Sequence, residues 1–340
     1  MKRHVVTGGA GFIGSHLCEA LVGAGDFVVC VDDFSSGSRA NVAQLFASGR
    51  FELVVGDVCD VVEGLDGPVS TVAHLASPAS PADYLAHPLE TLKAGSRGTE
   101  AALKLAQAHQ ARFVLASTSE VYGDPLVHPQ PETYWGNVNP VGPRSVYDEA
   151  KRFAEALTSA YRRSMAVNTG IVRIFNTYGP RLRPGDGRVV SNFIVQALSG
   201  APLTIYGDGS QTRSLCYVDD VVRGLVAMLC TDLPGPVNLG NPTELSVAAI
   251  AQLVLGLTGS SSSLVYLPLP EDDPVRRQPD VGVAKSLLGW EPTTSPTDGI
   301  AKTISWFSAM PVLAGPPPGA SSPTAERPTN PSAERAPALS

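Results

Sequence analysis

Basic residues are the minority charge in this chain: 25 Lys and Arg stand against 32 Asp and Glu, a formal net charge of -7. Such a balance gives no general attraction to a polyanion and speaks against nucleic acid as a partner, although local arginines can still grip a compact anion. Cysteine is scarce. Cys18, Cys30, Cys59, Cys216 and Cys230 are odd in number, form no C-x-x-C pair and do not cluster with the six histidines. That argues against disulfides and structural zinc, and for reduced thiols in a cytosol; no metal is expected. No apolar run reaches the length of a membrane span, and "MKRHVVTGG" enters a strand at once, with no room for a signal peptide. The expectation is a soluble, cytoplasmic protein without a membrane partner. What is present, 43% hydrophobic and 17% charged residues over 340 positions, suffices for one large domain or two closely joined ones.

Apolar runs of strand length recur early: "HVVTGG", "FVVCVDD", "FELVVGD", "TVAHLA", "RFVLAST" and "NTGIVRIFN". Helix-length stretches separate them, among them Gly14 to Val22 and Leu89 to His109. Continuous rather than alternating apolar runs suit strands buried on both faces. Their alternation with helices implies an α/β chain with a Rossmann-type doubly wound parallel sheet. After about Thr177 the loops lengthen and fill with Pro, Gly and Arg, while "LCYVDD", "VDDVVRGLVAMLC" and "PVNLG" read as a returning strand, helix and strand. The division expected is a dinucleotide-binding domain over 1–177 with returning elements at about 214–240. A smaller C-terminal substrate-binding lobe takes 178–213 and 241–309, and a disordered Pro/Ala/Ser-rich tail takes 310–340.

"TGGAGFIG" joins the first strand to the first helix, with Gly8, Gly11 and Gly14 in a G-x-x-G-x-x-G pattern. Glycines let backbone amides approach a pyrophosphate, and the helix N-terminus adds partial positive charge. Asp32 and Asp33 end the second strand, where a carboxylate accepts the hydroxyls of an adenosine ribose and repels a 2′-phosphate, so NAD is expected rather than NADP. Phe12 and Ile13 within the loop, Leu75 and Ala76 after "TVAH", and Val58 complete the candidate cofactor residues. Asp57 is either a neighbour of the adenine or a helix cap.

"YDEAK" spaces Tyr147 and Lys151 one helical turn apart on one face. A phenol is a poor base at neutral pH, but a nearby ammonium lowers its pKa, and Lys151 can also hold a nicotinamide ribose. An isolated Y-x-x-x-K is usually an exposed helix face. Here it follows both a dinucleotide loop and the hydroxyl-rich strand end "STSE", and the combination points to hydride transfer at a sugar or alcohol carbon.

With these features the chain resembles the extended short-chain dehydrogenase/reductase superfamily. Within it the chain is more closely similar to the UDP-glucuronate decarboxylase family, through "HLASPASP", "STSEVYGDP", "VHPQPETYWGNVNP", "YDEAKR", "RIFNTYGPR", "DGRVVSNFI", "GDGSQTRS", "PVNLGNP", "DDPVRRQPD" and "LGWEP". The likeness runs from about residue 3 to about residue 307. It implies oxidation of the 4-hydroxyl of a UDP-bound hexuronate, loss of CO2 from the resulting β-keto acid, and reduction of the 4-keto pentose to UDP-xylose. Related 4,6-dehydratases carry an Asp-Glu pair after the Thr, where this chain has Ser119 and Glu120. A serine hydroxyl is too weak an acid to expel hydroxide, so elimination is disfavoured. The competing readings are a nucleotide-sugar 4-epimerase or 4,6-dehydratase and, outside enzymes, an NAD-binding sensor.

The resemblance implies that Thr118 hydrogen-bonds the 4-oxygen beside Tyr147, that Ser119 contacts the carboxylate region, and that Glu120 holds substrate or assists proton transfer at carbon 5. It puts Arg277 near the substrate, with its neighbour Arg276 as an alternative, and Asn176 at the pyrophosphate. It also makes the chain a homodimer built from the helices Leu89–His109 and Tyr147–Arg163. Tyr84 is a candidate for the sugar carboxylate or a structural residue. Arg188 and Val189 precede a helix whose first turn can face an anion. Tyr206 is a candidate for the uracil, and Gln211 and Arg213 for ribose and phosphates. Arg181 and Arg183 are expected as solvated surface charge, Trp135 and Trp290 as packing, and His74 as a satisfied core histidine near the cofactor.

Overall fold

A computed structural model describes residues 1–269 and 276–310. The expected tail and the acidic start of "DDPVRRQPD" lie outside the described residues.

The early apolar runs form the strands β1 (Arg3–Thr7), β2 (Phe27–Asp32), β3 (Phe51–Val55), β4 (Thr71–His74), β5 (Arg112–Thr118) and β6 (Thr169–Ile174), and a late return adds β7 (Val237–Leu239). They make one seven-stranded sheet in the order β7-β6-β5-β4-β1-β2-β3, every pairing parallel. Strand sequences that are apolar without alternation bury both faces. Val6, Val28 and Cys30 pack into one core and Val5, Val29 and Val31 into the other, all 1% exposed or less. Each large side chain buried this fully stabilises the fold by roughly 1.5–3 kcal/mol. Helix α1 (Phe12–Gly23) follows β1, while α2 (Thr99–Ala108) and α3 (Ser145–Met165) cover one face and α4 (Val218–Leu229) the other.

The strand order reverses between β1 and β4. In an open α/β sheet the carboxyl ends of strands flanking that reversal leave a crevice; here β1 carries the glycine loop there, and β5, next to β4, ends beside it in the hydroxyl-rich run. Three short pairs, Thr177–Tyr178 with Cys216–Tyr217, Leu203–Tyr206 with Leu264–Leu267 and Thr212–Ser214 with Glu244–Ser246, lie apart from the main sheet.

The run expected as one helix from Leu89 to His109 is helical over Pro88–Lys93 and Thr99–Ala108, but widens to a π turn at Ala94–Gly98. Packing explains the turn. A Cβ on Gly95 would stand 2.7 Å from the Ala150 Cβ and 2.9 Å from its carbonyl oxygen, so the turn sits directly on α3 between Tyr147 and Lys151.

Candidate active site

A cavity of about 540 Å³ runs along the carboxyl ends of the strands. At one end it is lined by Gly8, Gly11, Phe12, Ile13, Gly14, Asp32, Asp33, Asp57, Val58, Leu75 and Ala76, so every sequence-expected cofactor residue reaches it. The glycines differ in what they do. A Cβ on Gly14 would fall 2.1 Å from the Gly8 carbonyl oxygen, a contact no side chain survives, so this glycine serves loop–helix packing. A Cβ on Gly11 would meet only that oxygen, at 3.2 Å, and otherwise project into open cavity. Gly11 also caps α1 without any side-chain hydrogen bond, leaving first-turn amides for an anion. Asp32 accepts from the Ala10 N–H (2.8 Å) and the Phe34 N–H (2.9 Å) through different oxygens, and each keeps acceptor capacity for a ribose hydroxyl. The donor set, the open glycine and the acidic strand end fit a dinucleotide. Asp57 serves both expected purposes: it lines the cavity and accepts the Cys59 N–H at 2.8 Å as a cap.

At the other end stand Ser117, Thr118, Ser119, Glu120, Tyr147, Lys151, Asn176 and Arg188. The ring of Tyr147 lies beneath the Lys151 Nζ at 5.9 Å, and that ammonium donates to the Ala116 carbonyl at 2.9 Å. Burial pulls Lys151 down to about 8, against the opposing charge of Glu155. Burial also pushes the Tyr147 phenol above its ordinary value, with the Thr118 hydrogen bond acting the other way. This corrects the expectation of a phenol already lowered by its lysine: in so enclosed a position desolvation outweighs the help. His74 hydrogen-bonds Thr7 (2.8 Å) and Thr99 (3.2 Å), and burial, aided by Lys151, takes it to about 3, so it is the neutral core histidine expected.

Glu120 is held from both sides. Arg144 donates to its Oε2 at 2.6 Å and Arg277 to its Oε1, while a second Arg277 nitrogen reaches the Gly123 carbonyl. Burial works to raise the Glu120 carboxyl, but Arg277 and Arg144 together hold it down at about 2. Asp148 beside them is 6% exposed, with one buried oxygen unpartnered, and burial followed by the Glu120 charge pushes it up to about 7. Arg277 is 4% exposed whereas Arg276 is exposed, which separates the two.

Other expectations fare differently. Tyr84 is 2% exposed and stacked on the Tyr147 ring (5.2 Å between centroids, 7° between planes). Its hydroxyl is unpartnered, and it sits behind the catalytic candidates rather than on the cavity wall. Val189 opens the helix Val189–Ser199, but it, Tyr206, Gln211, Arg213 and Arg277 do not line this cavity. Arg181 and Arg183 are not free surface charge. Both line the cavity and pair with Glu19 and Asp83, because the loop after "YGP" turns inward over the crevice. Trp135 is 89% exposed, so the packing assigned to it fails; Trp290, 3% exposed with its N–H on the Asp220 carbonyl, does pack. Sequence reasoning missed Lys93 and Asp83 on the cavity wall and Arg144 on Glu120. The "GPRS" run gave Arg144 no recognisable signal, whereas Lys93 could have been found from its place on the helix facing "YDEAK". Among the described residues there is no cluster able to hold a metal, and no helix long and apolar enough to cross a membrane.

Residues 4–240 match the model of the NAD dependent epimerase/dehydratase family. The chain belongs to that family. It is 52% identical over 307 residues to UDP-glucuronic acid decarboxylase 1 of Danio rerio, covering 90% of this chain and 73% of that one. It is 51% identical to UDP-glucuronic acid decarboxylase 1 of Arabidopsis thaliana, covering 90% and 69%. Among solved structures, the family member from Bacillus cereus that is a UDP-glucuronic acid 4-epimerase, in complex with UDP-glucuronic acid and NAD, superposes with a TM-score of 0.82 at 30% identity, covering 90% and 99%. The dTDP-glucose 4,6-dehydratase of Streptomyces venezuelae, with NAD bound, gives 0.81 at 30%, covering 90% and 96%.

Proposed function

We propose that the chain is an NAD-dependent UDP-glucuronate decarboxylase producing UDP-xylose. The fold and family are shared with epimerases and dehydratases, so the reading has to come from the cavity. The observation that carries it is the state of Glu120. It is the only carboxyl group at the strand end after Thr118, and two guanidiniums keep it ionised at about 2. With both oxygens taken by guanidiniums Glu120 is held as the carboxylate, which has no proton to give a departing hydroxide, and Ser119 beside it is too weak an acid. Elimination therefore lacks its catalyst. Decarboxylation of a β-keto acid needs none, because the ketone accepts the electrons that the departing CO2 leaves behind. The decarboxylase relatives, at about half identity, agree.

NAD, when bound, supplies the acceptor for the hydride of sugar carbon 4 and later returns it. Tyr147 acts as the phenolate, which the Lys151 charge favours, and becomes the phenol by taking the proton of the 4-hydroxyl, with Thr118 donating to the 4-oxygen. Ser119 orients the carboxylate region. Glu120 lines the side from which water reprotonates carbon 5, and Arg277 holds it there from behind, Arg277 rather than Arg276 because Arg277 is buried against Glu120 while Arg276 is exposed. Gly8, Gly11 and the first turn of α1 take the pyrophosphate of the cofactor, and Asp32 and Asp33 its adenosine ribose.

Asn176 and Arg188 receive the substrate's diphosphate. Tyr84 supports the sugar end through its stack on Tyr147. Tyr206, Gln211, Arg213 and Val189 hold the nucleoside end, within a sugar-nucleotide lobe over 178–213 and 241–309. The dimer uses the two helical runs at 89–109 and 147–163, whose Leu89 (65%) and Phe153 (52%) are apolar and exposed. Reduced, unbridged cysteines suit a cytoplasmic setting. Incubating the purified protein with UDP-glucuronate and weighing the product tests the reading. A nucleotide lighter by one carbon dioxide is expected, and an isomeric hexuronate or a 4-keto-6-deoxy sugar would overturn it.

A further inference from the structure

The π turn at Ala94–Gly98 touches both ends of the cavity. Lys93 and Ala94, where it begins, line the cavity wall. From there its backbone is packed on two sides with no room for a side chain. On one side Gly95 lies against α3. A Cβ added to it would stand 2.7 Å from the Ala150 Cβ, 2.9 Å from the Ala150 carbonyl oxygen and 3.1 Å from the carbonyl carbon. On a second side a Cβ on Gly98 would stand 2.7 Å from Val58 Cγ1, and Val58 lines the cofactor end of the cavity. Gly95, Gly98 and Ala150 are all buried. Turns of this wide kind are rare and occur mostly as single interruptions of α-helices.

We propose that Gly95 is a positioning residue for the Tyr147–Lys151 pair: its missing side chain lets the π turn seat α3 at the depth that sets both residues against the cofactor end of the cavity. The inference rests on the role given to Tyr147 and Lys151 above.

Ala150 is the point through which the seating reaches the pair. It directly precedes Lys151 and follows Tyr147 by three positions, so all three share one rigid helical turn. Tyr147, Ala150 and Lys151 are 6%, 3% and 5% exposed, which leaves that turn no free space to rotate into. Non-bonded carbons rest at about 3.5–4.0 Å, so a Cβ at 2.7 Å has to part the π turn and α3 by roughly 1 Å. The atoms it would meet are a Cβ and the backbone, and no side-chain torsion carries them away. Gly98 keeps the turn pinned to Val58, so the strain falls on α3. A shift of about 1 Å matters to hydride transfer, because misplacing reacting groups by that much costs about 10²-fold.

The test compares crystal structures and kinetics of the parent, Gly95→Ala, Ala150→Gly and the double variant. In Gly95→Ala, Tyr147 and Lys151 are expected to move by roughly 1 Å relative to the glycine loop. Its kcat on UDP-glucuronate should fall about 10²-fold, while KM and the calorimetric affinity for NAD change far less. Loss of stability alone would lower the thermal midpoint and leave kcat of the folded protein as it was. Ala150→Gly removes the atom that is struck. In the double variant the pair should return towards the parent's position, with kcat within about threefold of Ala150→Gly alone. A folded Gly95→Ala protein with Tyr147 unmoved or with the parent's kcat overturns the proposal, and so does a double variant no better than Gly95→Ala. Should Gly95→Ala not fold, the double variant decides: turnover regained to the level of Ala150→Gly supports the proposal, and anything less overturns it. Because the displacement is measured without turnover, a parent protein that released no CO2 would refute the functional reading and leave the crystallographic comparison to decide this one.

Discussion

The two ends of the cavity are built by opposite means. At the cofactor end the work is done by backbone: glycines that permit close approach, uncapped amides at the start of α1, and one carboxylate tied to the Ala10 and Phe34 amides. At the reactive end it is done by buried charges locked in pairs: Glu120 between Arg144 and Arg277, and Glu155 with Arg173 behind Lys151. Backbone binding tolerates any side chain that stays out of the way. Charge pairing does not, because a buried ion that loses its partner is left uncompensated. The same enzyme should therefore answer mutation by loss of affinity at one end, and by loss of chemistry or stability at the other.

Tyr147→Phe gives the largest expected effect. Removing the proton acceptor should lower turnover of UDP-glucuronate by about 10³-fold while the thermal midpoint stays near that of the parent; a variant retaining full turnover would break the account of this end. Arg277→Gln comes next. Glu120 keeps one guanidinium, and urea unfolding should show a loss of about 2–3 kcal/mol at pH 7. The sign with pH follows from Glu120, whose folded value of about 2 lies below its unfolded 4.5. That stabilisation is present above pH 4.5 and disappears as pH falls through 2, so parent and variant should converge in acid.

The glycine loop sharpens the contrast. Gly14→Ala should fold poorly, because its Cβ would strike the Gly8 carbonyl oxygen. Gly11→Ala should fold with stability within about 0.5 kcal/mol of the parent yet bind NAD measurably more weakly by calorimetry. Equal behaviour of the two would erase the distinction between packing glycine and cradle glycine. Asp148→Asn has the smallest effect. The Asp148 carboxyl is raised to about 7 from 3.8, so its favourable contribution is complete below pH 3.8 and is lost as pH rises through 7. The variant should melt roughly 2–4 °C above the parent at pH 8 and near it at pH 4.

The same contrast governs what could be read from sequence. The sheet was legible because its strands are unbroken apolar runs, and the cofactor end because glycine spacing and an acid at a strand terminus are local patterns. Tyr147, Lys151 and Thr118 were legible for the same reason. The partners that hold the buried charges were not. Arg144 lies 24 residues from Glu120, and Arg277 lies 157 away. The fork from Arg173 to Glu155 joins a strand and a helix brought together only by the crossover from β5 to β6. The depressed phenol was misjudged because local spacing shows a nearby ammonium but not the depth of burial. Trp135 misled for the opposite reason, since an aromatic in a loop reads as packing until its surroundings are known.

The most direct test of the central claim is to let the enzyme convert UDP-glucuronate in deuterium oxide, without an external reductant, and to examine the product by proton NMR. Oxidation at carbon 4, loss of the carboxyl group and internal return of the hydride together predict UDP-xylose carrying a single deuterium at carbon 5 and none at carbon 4, with one CO2 released per molecule. A six-carbon product, or a pentose with solvent deuterium at carbon 4, would contradict the account.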